Sequence, residues 1–76
     1  SPMPVGEQVA ILYCGVHGLM REVPIDRVRE CQNQFLDKLR SSAPEVIETL
    51  AAGKIDDETT QKIEATMADI AGTYKA

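Results

Sequence analysis

Cys14 and His17 stand three residues apart, and a second thiol follows at Cys31. A thiolate and an imidazole on adjacent helical turns can share a tetrahedral metal ion, and an imidazole can help a neighbouring thiol reach its nucleophilic form. A structural zinc site usually takes four protein ligands, whereas the chain holds two Cys and one His. A carboxylate such as Glu7 or Glu22 would have to complete the set. Cys14 is also flanked by Leu12, Tyr13 and Val16, which suits a packed thiol better than a polar, partly open catalytic pocket. The expectation is a small buried thiol beside a semi-exposed His17, with no metal, cofactor or catalytic residue. Gly15 and Gly18 make a GxxG, but a phosphate-cradling loop needs a preceding strand and a longer glycine pattern. They are expected to allow close helix contact and then a turn.

The elements that would position these residues read as helices. Val5, Val9, Leu12 and Val16 recur at intervals of four, three and four, one apolar face of a first helix over roughly residues 4–18. Pro2 and Pro4 precede it, where a missing N–H costs little, and Gly15, Gly18 and Pro24 bring it to an end. A second helix runs through IDRVRECQNQFLDKLRSS, with Val28, Cys31, Phe35 and Leu39 on one stripe and Leu36 beside it. Asp26 at its start and Lys38 and Arg40 at its end suit the helix dipole. Pro44 disfavours helical geometry at Ala43 and so opens a short third helix carrying Val46, Ile47 and Leu50, closed by Gly53. Asp56 is a natural N-cap for a fourth, with Asp57 and Glu58 in its first turn and Ile63, Met67, Ile70 and Tyr74 as its core stripe. No segment alternates with period two. The fold expected is all-α, a small bundle of about four helices.

Composition narrows the function. At 76 residues the chain is one small domain or a piece of a larger one, and a core of this size rarely supplies more than ~3–5 kcal/mol. Aromatic residues make up 4% of a chain that is 43% hydrophobic, so aliphatic side chains must fill the interior. Eight basic residues against 12 acidic ones leave a formal charge of -4, which would repel a phosphate backbone and argues against nucleic acid. No apolar run approaches the ~20 residues of a membrane span, and the opening residues do not read as a signal peptide. A soluble, non-exported chain with reduced cysteines is expected.

Together, SPMPVGEQVAILYCGVHG and VPIDRVRECQNQFLDKLRSSAPEV resemble the C-terminal helical region of the alpha subunit of F-type ATP synthase. The resemblance rests on the Pro-Met-Pro-Val opening, on Glu7, Gln8 and Val9, and on Tyr13 to Gly15. Val23 and Pro24, Phe35, Leu36, Leu39, Arg40 and Ser41 carry it further, and it continues into GKIDDETTQKIEATM at residues 53–67. The family usually has alanine where Cys14 stands and a bulky apolar residue where Cys31 stands, so neither belongs to a family site. Gly6 replaces a usual Glu, which should weaken the first helical turn. GLMRE at 18–22 replaces Gly-Tyr-Leu-Asp-Lys, so that Arg21 reverses a charge.

The resemblance implies that residues 1–76 are a fragment of a larger C-terminal domain, without the upstream barrel and nucleotide-binding domain. ATP or ADP and Mg would bind in that missing domain, and the fragment would be catalytically inert. Its role would be structural, within a complex that couples ATP synthesis or hydrolysis to proton transport. Its partners would be beta subunits and the central-stalk gamma subunit. The complex would lie peripheral to an energy-transducing membrane, at the cytoplasmic face of a bacterial inner membrane, with no direct membrane insertion. By analogy with the acidic rotor-contacting loop of the beta subunit, Met20, Arg21, Glu22, Val23 and Pro24 would form a rotor-facing loop. Its apolar members, Met20 and Val23, favour that use over a plain solvated connection. Uncovered apolar surface would let the fragment self-associate. A freestanding acidic helical interaction module is the rival from another class.

Overall fold

The computed structural model describes residues 4–74, so the placement of Pro2 and Met3 before the first helix lies outside the described residues. Four α-helices follow in order: α1 (Val5–Val16), α2 (Val28–Ser42), α3 (Pro44–Ala51) and α4 (Asp57–Gly72), with a 3-10 turn at Ile25–Arg27 leading into α2. There is no strand among the described residues, in agreement with the all-α expectation.

The helix boundaries follow from local chemistry. Gly18 (φ 65°) and Gly53 (φ 84°) take the left-handed conformation that stops a helix. At each, the next amide reaches back five residues, Leu19 N to Cys14 O (2.9 Å) and Lys54 N to Thr49 O (3.1 Å). The glycine amide itself bonds the carbonyl three residues back. This pair of bonds is the Schellman motif, which satisfies carbonyls the helix end leaves open. Pro44 sits in the first turn of α3, where its missing N–H costs nothing, and Ala43 before it is extended in φ (−147°). Asp56 caps α4 by accepting a hydrogen bond from Thr59 N at 2.8 Å.

Phe35, Leu36 and Leu39 from α2, Val46 and Leu50 from α3, and Ile63 and Met67 from α4 form the core, joined by Ala10, Cys14 and Cys31. Full burial of one such aliphatic or aromatic side chain stabilises by ~1.5–3 kcal/mol. The stripes expected on α2, α3 and α4 face this core, with Val28, Ile47 and Ile70 only partly buried against it, and Tyr74, expected on the fourth helix, packs against it from just past the end of α4.

On α1 the packing is different. Its inward residues are Gly6, Glu7, Ala10 and Cys14, while Val5, Leu12 and Val16 remain 62%, 65% and 79% exposed. Small residues win the inner face because α1 lies against α3 at close range. A Cβ on Gly6 would stand 2.2 Å from the Ile47 carbonyl oxygen. Gly6 is therefore a point of backbone contact, a role that a view of it as a weakened first turn does not include. Gly15 departs from expectation the other way, since nothing lies within 4 Å of the position its Cβ would take. It makes no close helix contact inside this fold.

Candidate interaction site

The thiols and the imidazole, close in sequence, part company in the fold. Cys14 and Cys31 are both fully buried, and the Cys31 thiol meets the Met67 thioether at 3.8 Å. Burial, with Cys31 nearby, pushes the Cys14 thiol up to about 12, and burial raises Cys31 as well. Both are therefore held as thiols near neutrality, the protonated form being the poorer nucleophile. His17 is exposed and stacks on Tyr13 with ring centroids 4.1 Å apart. Tyr13 in turn donates its hydroxyl hydrogen bond to Glu64 of α4. Among the described residues no group of three or more His, Cys, Asp and Glu is arranged to hold a metal ion.

Glu7, considered above as a metal ligand, has another use. It accepts two hydrogen bonds from the Arg40 guanidinium, at 2.9 Å from Nε and 2.6 Å from Nη2. This bidentate pair joins α1 to α2, and Arg40 also bonds Asp37 at 2.8 Å. Arg40 beside Glu7 holds its carboxyl below the usual range against the opposing effect of burial. A carboxylate only 5% exposed is tolerated because both of its oxygens are occupied.

The connection between α1 and α2 is closely tied down. After the turn at Gly18, Arg21 N bonds Gly18 O (3.3 Å), Val23 N bonds Met20 O (3.0 Å) and Arg27 N bonds Pro24 O (2.8 Å). Val23 is only 6% exposed, and Met20 packs partly against the core. The five expected loop residues thus divide. Met20 and Val23, whose apolar character suggests an outward contact, instead pin the loop inward. Arg21, Glu22 and Pro24 are exposed. The next residue, Ile25, escapes the sequence reading: at 93% exposure it is an apolar knob on the 3-10 turn, fixed behind the rigid φ of Pro24. The Pro-Ile step before the charged Asp26 is the available signal. A cleft of about 260 Å³ lies between Leu19, Arg21 and Glu22 of the loop and Ala68, Ala71 and Gly72 near the end of α4.

The loop and the 3-10 turn thus form a closely bonded edge beside the end of α4. Residues 1–70 match the family described as ATP synthase alpha/beta chain, C terminal domain. An ATP synthase subunit alpha from Phocaeicola vulgatus is 47% identical over 76 residues, covering 99% of this chain and 14% of the relative. One from Parabacteroides distasonis is 46% identical over 71 residues, 92% of this chain and 14% of the relative. A mitochondrial ATP synthase subunit alpha from Schizosaccharomyces pombe is 41% identical over 61 residues, 80% of this chain and 11% of the relative. The chain thus spans about 14% of the length of the first two relatives. No solved structure matches.

Proposed function

Because the protein belongs to the family of C-terminal domains of ATP synthase alpha and beta subunits, we propose that it acts as the helical C-terminal region of a proton-transporting ATP synthase alpha subunit. Its contribution is mechanical. The bundle packs among neighbouring subunits and follows the nucleotide-binding domain as the rotor turns, without making or breaking bonds itself. ATP or ADP with Mg belongs to that separate domain, which an N-terminal barrel precedes in the intact subunit. The partners are beta subunits and the central-stalk gamma subunit. The complex lies peripheral to an energy-transducing membrane, at the cytoplasmic face of a bacterial inner membrane. The bacterial relatives support that location, and no helix among the described residues is long and apolar enough to cross a membrane. The family match favours this role over a freestanding acidic interaction module.

Within that role, the loop of Met20, Arg21, Glu22, Val23 and Pro24 faces the rotor. One observation carries this: Met20 and Val23 anchor the loop while Arg21, Glu22 and Pro24 are held outward. A stiff connection can transmit displacement, which a slack one would absorb. Arg21→Cys in the full-length subunit, assembled into the complex, tests it with a short crosslinker that joins the thiol at one end and carries a photoreactive group, indifferent to side-chain type, at the other. Crosslinking to the central-stalk subunit, with loss of ATP hydrolysis, is the expected result. Crosslinks to beta alone, or none, would remove the loop from the rotor path. Burial of Cys14 and Cys31 keeps background labelling low.

A further inference from the structure

Tyr74, just past the end of α4, meets Arg27 and Glu30 at the start of α2. Its hydroxyl donates to Oε2 of Glu30 at 2.8 Å, across 44 positions of sequence. The same oxygen accepts a hydrogen bond from Arg27 Nη2 at 3.3 Å, and the central carbon of the Arg27 guanidinium stands 5.6 Å from the centre of the Tyr74 ring. Each member of the trio thus touches the other two. The Tyr74 hydroxyl foremost, and Arg27 with it, favour the charged form of Glu30 and hold its carboxyl below the usual range. Beneath them the Tyr74 side chain is half-buried and packs against the core.

The trio acts on one particular piece of chain. Arg27 closes the 3-10 turn that carries Ile25, its amide bonding Pro24 O while the Val28 amide bonds Ile25 O. Earlier in the connection, Leu19, Arg21 and Glu22 stand across a cleft from Ala68, Ala71 and Gly72 of α4. Met20 and Val23 hold that first part from the core side. At Tyr74 the same end of α4 reaches the turn directly.

We propose that Tyr74 is a positioning residue, forming with Arg27 and Glu30 a latch that fixes the 3-10 turn, and with it the protruding Ile25, to the end of α4. The side chains of Arg27 and Glu30 are 53% and 51% exposed, so their contacts are made in water, where an ion pair or a cation–π contact is individually weak. Holding the turn takes the three together, and the latch can open while the core beneath it stays folded. While it is closed, movement of the turn is passed to the end of α4. The inference does not depend on what the loop between α1 and α2 touches, and its readout is the motion of the turn rather than a crosslink.

Amide hydrogen exchange, followed by mass spectrometry in the full-length subunit, tests the latch at Arg27 and Val28, whose amides close the turn. Tyr74→Ala removes every contact of the trio with α4. Exchange at the turn is expected to quicken roughly tenfold, while the amides of Phe35 and Leu39 in the buried stripe of α2 keep their rates. Tyr74→Phe keeps the ring beside Arg27 and loses only the hydroxyl, so a smaller rise of about threefold is expected. Combined with Glu30→Ala it should add nothing further, because both changes remove the same bond. Turn rates within about twofold of the parent in Tyr74→Ala would overturn the proposal. So would an equal rise at Phe35 and Leu39, the sign of a domain loosened as a whole, or effects of Tyr74→Phe and Glu30→Ala that multiply.

Discussion

Ile63, Met67 and Ile70 of α4 and Tyr74 just past its end repeat at four, three and four, and all four pack into or against the core. In α1, Val5, Val9, Leu12 and Val16 repeat at the same intervals, yet three of the four are exposed. Periodicity reports that a face is apolar, and what covers that face depends on the opposite side as well. Behind the α4 stripe lie Glu58, Glu64 and Asp69, which water must reach, so the stripe has one option. Behind the α1 stripe lie Gly6, Ala10 and Cys14, small enough for α3 to approach closely, and Glu7, which can be buried among them because Arg40 pairs with its carboxylate. With two buriable faces, α1 gives the smaller one to its own bundle.

This contrast can be broken by substitution. Ile63→Ala, which empties the buried α4 stripe, is expected to cost ~2–5 kcal/mol, enough to unfold much of a domain this small, as read by urea denaturation followed by circular dichroism. Gly6→Ala comes next. Its Cβ would meet the backbone oxygen of Ile47, an overpacking that costs about 1–3 kcal/mol as α1 moves off α3. If Gly6→Ala instead stabilised the protein as an ordinary helix substitution, the small-residue face would not be the one that packs.

The Glu7–Arg40 pair sharpens the same comparison through pH. Arg40 holds the Glu7 carboxyl below its ordinary value of 4.5, so the unfolded chain takes up this proton more readily. The pair's stabilisation is therefore fully present above that value and fades as pH falls through the lower, folded one. Glu7→Gln is expected to lower the melting temperature at neutral pH and to make its decline with acid shallower. A parallel decline in both proteins would mean the pair does not hold α1 in place. The smallest effect belongs to the exposed stripe. Val16→Ser should change the stability of this chain by no more than about 0.5 kcal/mol, in contrast to any truncation of the fully buried Met67.

Much of the fold was legible in the residues. The Asp56 cap, the Gly18 and Gly53 stops and the break at Pro44 are local devices whose partners lie within a few residues, so their chemistry shows in the sequence. The stripes of α2, α3 and α4 were legible because charge marks their other sides. The site was less so. Val23 and Ile25 are both β-branched and apolar, two positions apart across Pro24, and nothing local distinguishes the buried anchor from the exposed knob. Glu7 and Arg40 are 33 residues apart, a pairing that only the crossing of α1 and α2 reveals. Cys14 and His17 looked like a chemical pair for the opposite reason: neighbours in sequence, they diverge because one faces the core and the other lies past the last turn of α1.

By itself, then, the sequence determined the helical class, the helix ends and the family, since each depends on residue types at short or fixed spacings. The tertiary structure decided which side of α1 is inside, which loop residues hold and which protrude, and what the buried carboxylate is for. These are outcomes of packing, in which the distance between two backbones, set by Gly6 against Ile47, outweighs the hydrophobicity of either face.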